Sequence, residues 1–349
     1  MTNILQERLS KKSYLLADGA TGTNFFKMGL QTGEPPELWN IDHPDRVAAN
    51  YRSFIEAGSD IILTNSFGGN RFRLQLHNSQ SRISELNEAS ARIAREVANE
   101  TNPDVLVAGS MGPTGEILAP VGVVTIEEVA DAFREQAQAL VRGGADILWI
   151  ETISSKEELQ AALMGASSVG VPIVCTMSFD TNGRTMMGLC PADVANLIDE
   201  LNISPTACGS NCGVGPSETV LSIINLKNAL GDSPVLVVAK GNCGIPYYDN
   251  GKIEYDGTPE LMADYARFAH AAGANIIGGC CGTTPEHLRA MKKALDEQSA
   301  TDKMPTLDEV VAKLGEVSTG ARAQYGGNLE VSAGSASGAA KRTSRRNKE

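Results

Sequence analysis

Short apolar runs alternate with longer amphipathic stretches along this chain. The runs are Tyr14–Asp18, Asp60–Asn65, Val105–Ser110, Asp146–Glu151, Pro172–Ser178, Thr206–Asn211, Pro234–Ala239 and Asn275–Gly279. Several lack a period of two, the pattern of parallel strands buried on both faces. The stretches between them are helical, most clearly Ser81–Glu100, Thr125–Arg142, Ser155–Ser168, Thr258–Ala272 and Pro285–Asp296. Eight βα units in series predict an α/β fold of the (β/α)8 TIM-barrel type. A doubly wound sheet would need fewer strands and a phosphate loop after the first.

One phrase recurs at Ala57-Gly-Ser-Asp-Ile-Ile-Leu, Gly143-Gly-Ala-Asp-Ile-Leu-Trp and Ala272-Gly-Ala-Asn-Ile-Ile-Gly. Each copy reads as a helix ending at glycine before a strand begins, three instances of one αβ junction. Residues 1–300 are expected to form the barrel and 301–317 a short helical extension. From Ser318 to the last residue the chain is rich in Gly, Ala and Ser and ends in a basic run. That composition predicts a disordered tail over 318–349.

Composition narrows the class. With 42% hydrophobic residues in 349, the chain is able to bury a large core. No run approaches the ~20 apolar residues of a membrane span, and Met1–Lys12 lacks the apolar core of a signal peptide. A net charge of -12 argues against nucleic acid, whose phosphates need a basic surface. Seven cysteines, an odd number clustered between Cys175 and Cys281, fit a cytoplasmic protein with reduced thiols better than a disulfide framework.

In such a barrel, chemistry sits where strands end. There the chain places Asp18-Gly-Ala-Thr-Gly-Thr, Thr64-Asn-Ser-Phe-Gly-Gly-Asn, Gly109-Ser-Met-Gly-Pro-Thr-Gly, Glu151-Thr, Gly209-Ser-Asn-Cys, Lys240-Gly-Asn-Cys and Gly278-Gly-Cys-Cys-Gly. Cys212, Cys280 and Cys281 would give a zinc ion three thiolates and leave a fourth position for substrate. Adjacent cysteines meet one metal only if the chain bends, which Gly278, Gly279 and Gly282 permit. The competing reading makes them small buried hydrophobes. Cys243, on the same rim, is an alternative fourth ligand that would close the site. Asp18 and Glu151 end apolar strands and need a cationic partner, either a substrate ammonium or an internal ion pair. The four histidines show no metal-ligand spacing and are assigned no catalytic role.

These motifs resemble the homocysteine S-methyltransferase family over roughly residues 14–296. The runs that carry the likeness are Gly278-Gly-Cys-Cys-Gly-Thr-Thr-Pro-Glu-His, Gly209-Ser-Asn-Cys-Gly, Ala17-Asp-Gly-Ala-Thr-Gly-Thr, Gly109-Ser-Met-Gly-Pro-Thr-Gly and Ile150-Glu-Thr. The family includes the homocysteine-binding domain of cobalamin-dependent methionine synthase, betaine–homocysteine methyltransferases and S-methylmethionine-dependent enzymes. The resemblance implies Zn2+ on Cys212, Cys280 and Cys281, the homocysteine ammonium on Asp18 and Glu151, and its carboxylate near Gly19 and Thr64. It implies methionine synthesis by methyl transfer to a metal-bound thiolate.

The methyl donor is less defined. Thr152 and Gly68 stand where the animal betaine enzymes would carry tyrosines, so that aromatic cage is not reproduced. Trp39, Phe67, Phe72, Tyr247 and Tyr248 are candidates for a different one. A betaine-type onium donor is favoured. The alternatives are S-methylmethionine, or methylcobalamin carried by a separate corrinoid protein, since no cobalamin domain is expected after Asp296. A thiol redox enzyme using Cys280-Cys281 and a barrel with structural zinc are the readings from other classes. Oligomeric state is not encoded in these patterns.

Overall fold

The computed structural model describes residues 3–201, 203–249, 252–298 and 303–330. Its barrel strands are β1 Leu15–Leu16, β2 Ile61–Leu63, β3 Leu106–Met111, β4 Ile147–Ile153, β5 Ile173–Met177, β6 Ala207–Cys212 and β7 Leu236–Gly241. A hairpin of β8 Pro246–Asp249 and β9 Lys252–Tyr255 follows, and β10 Ile276–Gly279 is the eighth barrel strand. The sheet order β1-β10-β7-β6-β5-β4-β3-β2 is parallel at each pairing. A bridge between Ala17 and Ile61, with Asp18 N–H donating to the Ile61 carbonyl at 3.0 Å, joins its two edges. This is the (β/α)8 barrel the periodicity predicts.

The recurring phrase is an αβ junction with a physical purpose. Gly58, Gly144 and Gly273 all have φ near +100°, the left-handed turn that ends a helix. The polar residue two positions on then caps a neighbouring strand. Asp60 accepts from Leu16 N–H at 2.7 Å, Asp146 from Val107 N–H at 2.8 Å and Asn275 from Val237 N–H at 2.9 Å.

The barrel interior is filled by Leu15, Ile61, Leu63, Leu106, Ala108, Ile147, Trp149, Val174, Ala207, Val238 and Ile276. Leu5, on a helix over Ile4–Leu9, packs into the same cluster. The outer helices bury one stripe each. Ile126–Arg142 starts at a Thr125/Glu128 capping box and buries Val129, Phe133, Ala137 and Leu140, at helical spacing.

Three features depart from the sequence reading. The seventh barrel strand starts two residues later than expected, since Pro234 has no N–H to give a ladder, and it runs on through Lys240. Val238 faces the barrel interior, so Lys240, two positions on, shares that face. The hairpin β8–β9 was not anticipated. Finally, the expected tail contains a docked helix, Thr319–Tyr325, capped by Ser318. Its small residues permit close packing: a Cβ on Gly320 would meet the Asn182 carbonyl oxygen, and Ala321 and Gln324 are buried. Asn182 Oδ1 accepts from Gly320 N–H at 2.7 Å, and Gln324 donates to the Gly183 carbonyl at 2.9 Å. The remainder of the expected tail, 331–349, lies outside the described residues.

Candidate metal and substrate site

Cys212 ends β6, while Cys280 and Cys281 follow β10. The anticipated bend is present. Gly282 has φ +80°, and a Cβ there would lie 2.5 Å from the Tyr255 ring, so only glycine fits under the β8–β9 hairpin. Cys212 itself sits at φ +61° and Thr152, after Glu151, at φ +64°. Non-glycine residues pay about 1–3 kcal/mol for such backbone, and strain of this kind concentrates at functional sites.

The three Sγ atoms lie within 4.8 Å of one another. Cys212 Sγ is 3.8 Å from that of Cys281 and 3.6 Å from that of Cys280. Three corners of a tetrahedron with metal–sulfur bonds of about 2.3 Å would be separated by about 3.8 Å, so the trio fits one zinc ion with a free fourth position. Contact with Cys280 and Cys281 pushes the Cys212 thiol up, while hydrogen bonds from Cys212 and Cys280 hold Cys281 well below its ordinary value.

Two asparagines hold the trio in place. Asn211 Nδ2 lies 3.9 Å from Cys280 Sγ and donates to Thr152 Oγ1 at 2.7 Å, while its Oδ1 accepts from Thr152 N–H and Thr176 Oγ1. Asn242 Oδ1 accepts from Cys281 N–H at 3.1 Å, and its Nδ2 donates to the Gly213 carbonyl. Cys243 stands apart. Its thiol donates to the Gly257 carbonyl at 3.3 Å and it is buried under the hairpin, outside the trio. Cys175, Cys190 and Cys208 are buried in the protein.

A cavity of about 480 Å³ opens over the trio, within the ~300–1,000 Å³ usual for small-molecule sites. Gly19, Thr64 and Glu151 line it together with Cys212, Cys280 and Cys281. Thr64 Oγ1 is already engaged, accepting from Ser110 N–H at 2.9 Å and paired with Ser66 Oγ at 2.6 Å. Glu151 accepts from Ser110 Oγ at 2.5 Å. Burial pushes Glu151 up to about 7, opposed by the charge of Lys240.

Asp18, which the resemblance assigns to the substrate ammonium, has a cationic partner within the chain. It is almost fully buried, with Lys240 Nζ 2.8 Å from Oδ1 and Leu63 N–H donating to Oδ2 at 2.7 Å. Its charge is thus matched inside the protein, and the residue that lines the cavity in its place is Lys240. Burial pulls Lys240 down, but Asp18, Glu151 and Cys280 outweigh it and hold the ammonium above its ordinary value.

A sequence model of the homocysteine S-methyltransferase family matches residues 15–295. The chain belongs to the homocysteine S-methyltransferase family. It is 28% identical over 330 residues to the methionine synthase of Mycobacterium tuberculosis, covering 90% of this chain and 27% of that one. It is 31% identical over 307 residues to the methionine synthase of Mycobacterium leprae, covering 83% and 25%. The chain therefore spans about a quarter of the length of these curated relatives. The homocysteine methyltransferase MmuM from Escherichia coli, crystallised in a metallated form, shares the fold with a TM-score of 0.69 at 24% identity, over 83% of this chain and 99% of that one.

Few aromatic side chains line the cavity of this homocysteine S-methyltransferase family member. Trp39 is not available as a cage wall: it is buried, stacked on Phe25, and carries Arg46 at 5.0 Å. Phe67 and Phe26 do line the cavity. Phe72 packs against the core, Tyr247 is exposed on the hairpin, and the Tyr248 side chain lies outside the described residues. Of the histidines, His77 lines the cavity, whereas His43 packs on Trp39, His270 on Tyr14, and His287 caps its own helix at Thr284. Sequence reasoning passed over Lys240, Asn211, Asn242 and Glu37. Lys240 carried a signal, a lone cation at the end of an apolar barrel strand.

Proposed function

We propose that this chain is a zinc-dependent homocysteine S-methyltransferase that makes methionine, taking its methyl group from betaine or a related onium compound. The observation that carries the reading is the tetrahedral spacing of Cys212, Cys280 and Cys281 at the floor of a cavity lined by Glu151. A bound zinc would hold the homocysteine sulfur as thiolate at neutral pH, where a free thiol of pKa ~8.5 is mostly protonated. The chain's own groups do the positioning. Glu151 receives the substrate ammonium, and Gly19 and Thr64 lie on the side of its carboxylate. Lys240, fixed by Asp18, keeps the Glu151 carboxylate ionisable in a buried setting. Asn211 and Asn242 hold the cysteines so that no reorganisation is needed when sulfur attacks. The onium centre departs as an uncharged amine or sulfide, so no general acid is required.

A second reading, methylcobalamin as the donor, is favoured by one observation: the curated relatives this chain matches are methionine synthases, more than three times its length. Methionine formation from homocysteine with a donor panel separates the two. Betaine, dimethylsulfoniopropionate and S-methylmethionine test the first reading, and methylcobalamin the second. Turnover with methylcobalamin alone would replace the first by the second.

A further inference from the structure

Beyond the cysteine trio and Glu151, the cavity extends along the loops after β1 and β2. Glu34, Glu37, Phe26, Phe67, Arg73 and His77 line this arm. Glu37 is only 4% exposed on a short turn over Pro36–Leu38. Its Oε1 accepts from Gly68 N–H at 2.6 Å. Among the described residues no lysine or arginine lies within ion-pair distance of it, and Arg73 and His77 act on it only from farther away. A buried carboxylate without a cation is costly unless something charged visits it.

Arg73 offers the complementary group. Its guanidinium leans against Gly115 of the next loop, 3.2 Å from where a Cβ would sit, and among the described residues it makes no ion pair. Phe67 is set by close packing, since a Cβ on Gly112 would lie 2.6 Å from its ring. Yet it remains 40% exposed, and Phe26 is 51% exposed. Among the described residues, neither ring has a protein cation over it.

We propose that this arm is the methyl donor's seat and that it selects a donor carrying both an onium centre and a carboxylate. The carboxylate pairs with Arg73, and the onium lies against Phe67 and Phe26 with Glu37 as its counter-charge. The inference rests on the reading that homocysteine occupies the trio and Glu151. In the reaction a thiolate lone pair forms the new sulfur–carbon bond. The carbon–onium bond breaks with its electron pair going to the departing nitrogen or sulfur. The thiol proton leaves on substrate binding, and onium plus thiolate become two uncharged centres. The leaving molecule no longer attracts Glu37 or the ring faces, so this arm releases product by losing the interaction that held the donor.

The test uses the full-length, zinc-loaded enzyme with Arg73→Met and Glu37→Gln. Homocysteine binding is measured by calorimetry, donor binding to the homocysteine-free enzyme likewise, and methionine formation gives the donor KM. Betaine is the probe with a carboxylate, choline the probe without one. Arg73→Met should weaken betaine binding and raise its KM about ten- to a hundred-fold, the size of a charge-assisted hydrogen bond, and leave choline unchanged. Glu37→Gln should weaken both probes. Neither should change homocysteine affinity. If betaine is indifferent to Arg73→Met, or choline suffers equally, the proposed selection is wrong. If homocysteine affinity falls with either variant, this arm belongs to homocysteine. If homocysteine fails to bind the unaltered enzyme, the underlying assignment falls, and this inference with it.

Discussion

Replacing Lys240 by methionine removes the ammonium and keeps most of the stem. The lysine side chain is 2% exposed and its Asp18 partner 3%, with 2.8 Å between the charged atoms. In the variant, Asp18 keeps only Leu63 N–H as a donor. Breaking a buried pair from one side costs about 3–5 kcal/mol, because a charge is left without compensation. Set against a total stability on the order of 5–15 kcal/mol, the protein still folds but with a clear deficit.

The deficit depends on pH. Burial already raises Asp18, and Lys240 opposes that rise. Without Lys240, the native carboxyl holds a proton that the unfolded chain has released. Stability therefore falls as pH rises from about 4, by about 1.4 kcal/mol per unit until the native group ionises. The variant is closest to the unaltered enzyme near pH 5 and furthest near pH 8. Adding Asp18→Asn keeps an acceptor for Leu63 N–H and removes the orphan charge, so the double variant should recover part of the loss. Urea unfolding followed by tryptophan fluorescence reads the effect, since Trp149 lies beneath Lys240 at 5.5 Å. A coupling energy of at least ~1.5 kcal/mol is expected. Additivity within ~0.5 kcal/mol, or a deficit independent of pH, would refute the ion-pair account.

Glu151→Gln should weaken homocysteine binding about ten- to a hundred-fold without loss of zinc, the value of one charge-assisted hydrogen bond. In the unaltered enzyme affinity should climb with pH for two reasons, loss of the thiol proton on binding and, up to about 7, ionisation of the raised Glu151 carboxyl; the variant should lose the second contribution and keep the first, and calorimetry between pH 5.5 and 8 checks both. Cys243→Ala should retain full zinc stoichiometry by metal analysis, since its thiol faces the Gly257 carbonyl. Ending the chain at Leu314 should cost at least ~2 kcal/mol in urea unfolding, because the Ser318 N–H bond to the buried Glu218 carboxylate is lost; an unchanged midpoint would show that the docked segment is idle.

Strand positions and the cysteine trio could be read from the sequence because each depends on local chemistry. Apolar runs mark strands, and strand ends in a barrel share one rim. What escaped reading depends on contacts between distant segments. Asp18 and Lys240 are far apart in the chain and meet only because β1 and β7 flank β10, so nothing local distinguished a substrate-facing carboxylate from a paired one. The helix Pro216–Leu230 is buried on most faces, since it is covered from outside, and so lacks a clear amphipathic stripe. Its cover, Thr319–Tyr325, is rich in small residues for close approach, a composition that also describes disordered chain. The hairpin did have a signal in the sequence pair Asn250-Gly251, residue types favoured between two strands. Glu37 had none, since its burial comes from the loop after β2.

X-ray absorption at the zinc edge, taken before and after adding homocysteine, tests the central claim most directly. The account predicts three sulfur ligands at about 2.3 Å with one lighter ligand before addition, and four sulfurs afterwards. Four sulfurs before substrate, or an unchanged spectrum with homocysteine bound, would contradict it.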